Sequence, residues 1–403
     1  MTSNALHRAI ELVLELTAIS SPTGDTAGIR KALDCLATAL DEHGLPGEID
    51  ERRFGTPEAP VLLAGDLDAT NPLLLVGHVD TVLPASRPER QDDRIVATGA
   101  IDMKGGLAAF VGALVEIEAR GESLPEGVLI AVVPDEEIGG KISIRTVETL
   151  GAQARALWVL EPGEDHESGE TLVLGRRGLT TFTVSFQGQA AHAGNAPEQG
   201  RSALLAATEW SRCATRAAKQ NRTLTMNLGR LVAGDTSFVE HLGVRADMVG
   251  TERQTNVVPD RAVLDAEIRF LRTSTRDEFL HWLGGLAKVV GGQHEVKTGF
   301  VSREPIRPLV PTKERQAYAE HALRAASERG WRLSLEIERG GISFPNFLPA
   351  GSEIPVLDGL GPTGAGMHSR EEWMSIASLE RRIDLLADLL TTQGVTSPDS
   401  PEE

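Results

Sequence analysis

Apolar residues follow two rhythms along this chain. Residues 4–20 and 25–43 carry them at helical spacing, with Pro22 between the two segments and Gly44 as a C-terminal stop. Strand-like runs follow at 47–54, 61–64 and 73–77. Residues 105–120 place Leu107, Phe110, Val111, Leu114 and Val115 on one helical face. The apolar run 128–133 predicts a buried strand, 142–150 a helix and 156–160 another strand. Strands alternating with helices predict an α/β fold, with a largely parallel sheet covered on both faces.

The pattern changes near Gly175–Leu179. TTFTVSFQG alternates like a half-exposed strand, and a long helix is predicted over 198–220. Strand-like stretches come next at 223–231, 244–251 and 262–270, then a helix at 275–290 and a strand at 294–300. This order predicts a small antiparallel sheet with two helices on one face, an α+β ferredoxin-like piece. The αβ pattern resumes with a helix at 312–328, a short strand at 355–357 and a closing helix at 375–391. The expected layout is one discontinuous domain, 1–177 with 302–403, and an inserted domain at 178–301. The last residues, TSPDSPEE, are polar and acidic and are expected to be disordered.

At 403 residues, two domains are the natural expectation. An apolar fraction of 41% is that of a soluble globular protein, and a net charge of −18 argues against nucleic acid or an anionic membrane as partner. The N-terminal stretch carries Glu11 and Glu15 at helical spacing, so it reads as an amphipathic helix and not a signal peptide. A cytoplasmic location is expected. The two cysteines, Cys35 and Cys213, cannot form a disulfide framework or a thiolate zinc site. A bound metal would need histidine and carboxylate ligands.

Those ligand types cluster in a few motifs. His78 and Asp80 lie in VGHVDTV, Asp102 in GAIDMKGG, Glu136 and Glu137 in PDEEIGG, Glu161 in VLEPG and His368 in GAGMHSREEW. Alternation along a strand would put His78 and Asp80 on the same side, so that Asp80 could orient a metal-binding His78. Asp102 just before a helix could bridge two ions. Adjacent Glu136 and Glu137 repel unless a cation is near, and their side chains point different ways, leaving one free as a general base. Taken singly, these are a surface turn, a helix cap and a solvated acidic turn. Taken together, most of them end apolar runs of the kind that form a parallel sheet, where open α/β sheets place their sites.

On these motifs, together with GRRG, AAHAGNAPEQGRSA, TNVVPDR and GLGPTGAGMHS, the sequence resembles the co-catalytic zinc exopeptidase and aminoacylase family over about residues 5 to 390. The family includes glutamate carboxypeptidases, acetylornithine deacetylase and succinyl-diaminopimelate desuccinylase. The resemblance implies two zinc ions, with manganese or cobalt as substitutes. Asp102 would bridge them, His78 and Glu161 would complete one site, and Glu137 and His368 the other. Glu136 would be the general base and Asp80 would orient His78. A cis peptide at Asp102-Met103 is implied as well. The inserted domain would be a lid that forms homodimers, bringing His192 to the oxyanion in the partner's site. Asn256 and Arg269 would bind a substrate carboxylate.

One departure stands out. Relatives carry a Gly-rich acidic segment where this chain has Gly340-Gly341-Ile342-Ser343-Phe344-Pro345-Asn346. Gly341 and Ser343 are expected to touch substrate, and the change bears on substrate identity more than on the metals. The resemblance leans toward a carboxypeptidase releasing a C-terminal glutamate or a similar amino acid. An N-acyl amino acid deacylase is the second reading, and a non-catalytic metal-binding homologue the third.

Overall fold

The computed structural model describes residues 3–167, 169–242 and 256–392. The chain divides into two compact units, one made of Met1–Arg176 with Val310–Glu403, the other of Arg177–Leu309.

The larger unit is built on a nine-stranded mixed sheet. Its middle consists of four parallel neighbours in the order Val128–Val133, Leu73–His78, Ala156–Val159 and Val356–Asp358. The first three are buried at every position, which is why they read as unbroken apolar runs instead of alternating ones. Antiparallel strands Val61–Gly65 and Gly47–Asp50 extend one edge. Gly169–Val173 and Leu333–Glu336 extend the other, and neither was expected from the sequence.

Helix Gly105–Ala119 is buried on nearly all sides, not along the single face that its periodicity suggests. It packs against Asn4–Ala18 and Ile376–Thr391. A Cβ on Gly106 would come within 1.8 Å of the Leu160 carbonyl oxygen, so the helix approaches that strand end only because the residue is glycine. A second small sheet, Gly364–Ala365, Trp373–Ser375, Arg94–Val96 and Glu89–Gln91, was also not expected.

The second unit is a four-stranded antiparallel sheet. In chain order its strands are Gly178–Gln187, Leu224–Gly234, Arg261–Phe270 and Lys297–Ser302, arranged in space as second, third, first, fourth. Helices Ala203–Gln220 and Thr273–Gln293 share one core with it, including Phe182, Val184, Trp210, Ile268, Phe270 and Leu283. The helix expected at 198–220 is two pieces: a short turn at Pro197–Gln199, then the helix proper, with Ser202 capping its start by accepting from the Leu205 N–H. The strand expected at 294–300 begins at Lys297, because the preceding helix runs to Gln293. The stretch expected at 244–251 and the C-terminal tail lie outside the described residues. Leu179 and Ile306 exchange backbone hydrogen bonds, which keeps the segment after Ser302 with this unit. Among the described residues, no helix is long and apolar enough to cross a membrane.

Candidate metal centre

Three neighbouring parallel strands deliver their ends to one edge of the large sheet. His78 is the last residue of Leu73–His78. Glu136 and Glu137 follow Val128–Val133, and Glu161 follows Ala156–Val159. The other two groups arrive from loops. Asp102 sits in the irregular turn Ala100–Lys104, where the Asp102-Met103 peptide is cis. His368 lies at the tip of the hairpin between Gly364–Ala365 and Trp373–Ser375, with a left-handed backbone at φ 63°.

Asp102 is the centre of the arrangement. Its Oδ1 is 3.1 Å from His78 Nε2, and its Oδ2 is 3.2 Å from His368 Nε2. His78 Nε2 also lies 3.6 Å from Glu161 Oε1, and His368 Nε2 lies 3.1 Å from Glu137 Oε2. His78, Asp102 and Glu137 offer ligand atoms all within 4.8 Å of one another, and so do His78, Glu136 and Glu161. His78, Asp102 and Glu161 are buried, while Glu136 and Glu137 are half-buried and His368 is exposed.

The strand ends at His78, so Asp80 lies just past it, with its side chain still beside the His78 ring. It is the backbone carbonyl of Asp80 that accepts the His78 Nδ1–H, at 2.9 Å, while the carboxylate is 3.4 Å away. That bond leaves Nε2 to face Asp102 and Glu161, the nitrogen a metal would take in place of its proton. The Asp80 carboxylate accepts the N–H groups of Glu136 and Glu137 at 3.2 and 3.3 Å, and the Thr23 hydroxyl at 2.7 Å. It therefore sets the geometry of the Glu136-Glu137 turn.

So many carboxylates in one place disturb each other. Burial, reinforced by the charge of Glu161, pushes the Glu136 carboxyl well above its usual range. Burial and the charge of Asp102 push Glu137 up to about 8. Burial also opposes ionisation of Asp102, but its hydrogen bonds with His368 and His78 outweigh that and hold it below the ordinary carboxyl value. Arg176 lies in the field of Glu161 and Glu136 but is committed to a bidentate pair with Asp358 and to the Gly341 carbonyl. Imidazole nitrogens and carboxylate oxygens converging in this way fit one or more divalent cations. Their nitrogen and oxygen chemistry suits zinc, manganese or cobalt.

Comparison with known proteins agrees with this geometry. The sequence profile of peptidase family M20/M25/M40 matches residues 74–392. The chain belongs to this family. Among M20 relatives, a succinyl-diaminopimelate desuccinylase of Gluconacetobacter diazotrophicus is 30% identical, covering 95% of this chain and 96% of its own. Carboxypeptidase G2 of a Pseudomonas species is 25% identical, over 96% of this chain and 89% of its own. Aminopeptidase PepT of Bacillus cereus has the same fold, with a TM-score of 0.77 at 21% identity over 97% of this chain and 98% of its own. A dinuclear metal binding peptidase of the M20 family from Bacillus subtilis superposes with a TM-score of 0.66 at 14% identity, over 96% of this chain and 98% of its own. The chain is thus an M20 metallopeptidase or amidohydrolase.

The remaining expected residues are spread over both units of this M20 chain. His192, Asn256 and Arg269 belong to the second. His192 is exposed, and its Nδ1 accepts the N–H groups of Gly194 and Asn195 at 3.2 and 3.1 Å, so the ring proton is on Nε2. The backbone carbonyl of the exposed Asn256 accepts the Ala193 N–H. Arg269 is on strand Arg261–Phe270, with Nε 3.0 Å from Glu267 two residues earlier on the same face.

Gly341 and Ser343 belong to the larger unit. Gly341 is exposed, and its carbonyl accepts from Arg176. Ser343 is buried and lies 3.3 Å from Glu161 Oε1. The divergent segment is a buried turn, Phe344–Phe347, with the Phe344 ring 6.3 Å from that of His78. It supports the His78–Glu161 side of the centre, a connection the sequence reading did not make.

Sequence reasoning also missed Thr23, Asp358 and Glu372. Arg176 stands in the quoted motif GRRG and Asp358 directly precedes GLGPTGAGMHS, so a buried pair between them had a signal. Glu372 had none that set it apart from Glu371.

Proposed function

We propose that this chain hydrolyses a linear amide next to a free carboxylate, using two divalent ions, with zinc as the native metal and manganese or cobalt as substitutes. The observation that supports this best is Asp102, whose two oxygens each meet a different imidazole. His78, Asp102 and Glu161 would hold one ion, and Asp102, Glu137 and His368 the other. When bound, such a pair polarises the amide carbonyl and lowers the pKa of the attacking water.

The protein's own groups do the rest. Glu136 takes a proton from water on its carboxylate and passes it to the leaving nitrogen, so that one water is added across the C–N bond. The Asp80 carboxylate holds the Glu136 backbone in place, and its carbonyl fixes the His78 ring. His192, with its proton on Nε2, suits a donor to the oxyanion. Arg269 and Asn256 suit recognition of a carboxylate.

The more specific substrate we favour is an N-acyl amino acid of the succinyl type. The desuccinylase of G. diazotrophicus supports it at 30% identity over nearly the full length. A carboxypeptidase releasing glutamate or a similar residue is the second reading, supported by carboxypeptidase G2 at 25%. A panel of N-succinyl and N-acetyl amino acids and Xaa-Glu dipeptides, each with added zinc, manganese or cobalt, separates the two. Cleavage of the succinyl compounds is expected. Cleavage of the dipeptides alone would favour the carboxypeptidase, and no cleavage with any metal would refute both.

A further inference from the structure

Three backbone N–H groups around Asp102 share one acceptor. The Glu372 carboxylate, 3% exposed, accepts Gly99 N–H on Oε2 at 2.9 Å, and the N–H groups of Ile101 and Asp102 on Oε1 at 3.0 and 3.1 Å. These are charge-assisted bonds, stronger than those a neutral acceptor would make. Burial nevertheless disfavours the charge, and Asp102 nearby is a like charge. Both oxygens are used as acceptors, and a glutamine would offer only one, turning its NH2 toward a backbone donor.

The position of Glu372 gives the charge a purpose. It immediately precedes Trp373–Ser375, the returning strand of the hairpin that carries His368. Its own carbonyl accepts the Ala97 N–H at 3.1 Å. One residue therefore joins the Asp102 turn, through its side chain, to the His368 hairpin, through its main chain. On the far side of Asp102, the buried Lys104 ammonium donates to the Leu16 and Ile19 carbonyls at 2.9 Å each, pinning the turn to the first helix. Asp102 is held from both directions, and His368, exposed on its hairpin tip, is aligned with it through Glu372.

We infer that Glu372 is a positioning residue, which sets the Asp102 carboxylate and the His368 imidazole in register for the metal pair. This rests on the metal reading of the site given above.

The test measures Zn²⁺ and Co²⁺ affinity by competition with a chromophoric chelator, and the visible spectrum of the Co²⁺ protein. It compares wild type, Glu372→Gln, Glu372→Asp and Ser375→Ala. Ser375 is a control at the base of the same hairpin, where it caps the last helix and bonds Asp93. Glu372→Gln should bind at least one ion more weakly, on the order of 10- to 100-fold, with an altered Co²⁺ spectrum. Glu372→Asp should recover part of the loss. Ser375→Ala should lower the melting temperature and leave affinity within about 2-fold. If Glu372→Gln does not fold, Glu372→Asp carries the test and must bind more weakly than wild type. The inference is overturned if the Glu372 variants bind both ions like wild type, or if Ser375→Ala weakens binding as much as they do. A wild type that binds no pair of ions would instead refute the metal reading itself, and this inference with it.

Discussion

Asp102 has two oxygens, and each faces a different imidazole. Everything else at the residue scale follows from what surrounds that carboxylate. Glu136 shares a cluster with His78 and Glu161 but makes no ion pair with either histidine in the manner of Glu137 and Glu161. Glu136→Ala should therefore keep its metal and lose at least about 100-fold in kcat; metal analysis beside steady-state kinetics checks this, and an active variant would remove the proposed base.

The same residues make stability depend on pH. Glu137 is pushed up to about 8 by burial and Asp102, and His368 up to about 9 by its hydrogen bond with Asp102. Both folded values lie above the unfolded ones, so without metal the folded state binds the extra protons. The stability they give is whole below the unfolded values and falls as pH rises toward 8 and 9. Metal requires these groups unprotonated, so its stabilising effect grows over the same window. Melting temperatures of metal-free and metal-loaded protein should diverge between about pH 6 and 9, and a constant or narrowing gap would contradict this. The ligands were legible because histidines and carboxylates stood at the ends of apolar runs. Glu372 was not, because it meets its three donors only when segments some 270 residues apart come together.

At the scale of elements, apolar strands and helices were readable wherever burial was continuous. Gly169–Val173 escaped because Glu170 looks like a surface residue, yet it is buried and paired with Arg381 and Arg382. The small sheet escaped because its strands are two or three residues long. The turn at Phe344–Phe347 carries a contact that the sequence did not suggest, since Ser343 at its start reaches Glu161. Beside it, Arg176 joins the end of one segment to Asp358 and the Gly341 carbonyl, all in the larger unit. Arg176→Ala would leave the fully buried Asp358 without its partner, and should cost about 3–5 kcal/mol in urea unfolding. A loss below about 1 kcal/mol would mean that the pair is not the tie described here.

At the scale of the whole molecule, the second unit has one continuous stretch of chain and its own core around Phe182, Trp210 and Phe270. A fragment of residues 177–309 should fold alone and unfold cooperatively, with a near-ultraviolet signal from buried Trp210; a fragment without these properties would show that the core needs the rest of the chain. The homodimer expected through this unit is checked by sedimentation, where a monomer at micromolar concentration would count against it. The central claim concerns metal, and equilibrium dialysis against zinc addresses it most directly. Wild type should retain two ions per chain and Asp102→Ala neither at comparable affinity; a wild type that holds fewer than two, or an Asp102→Ala variant that keeps both, would contradict the account.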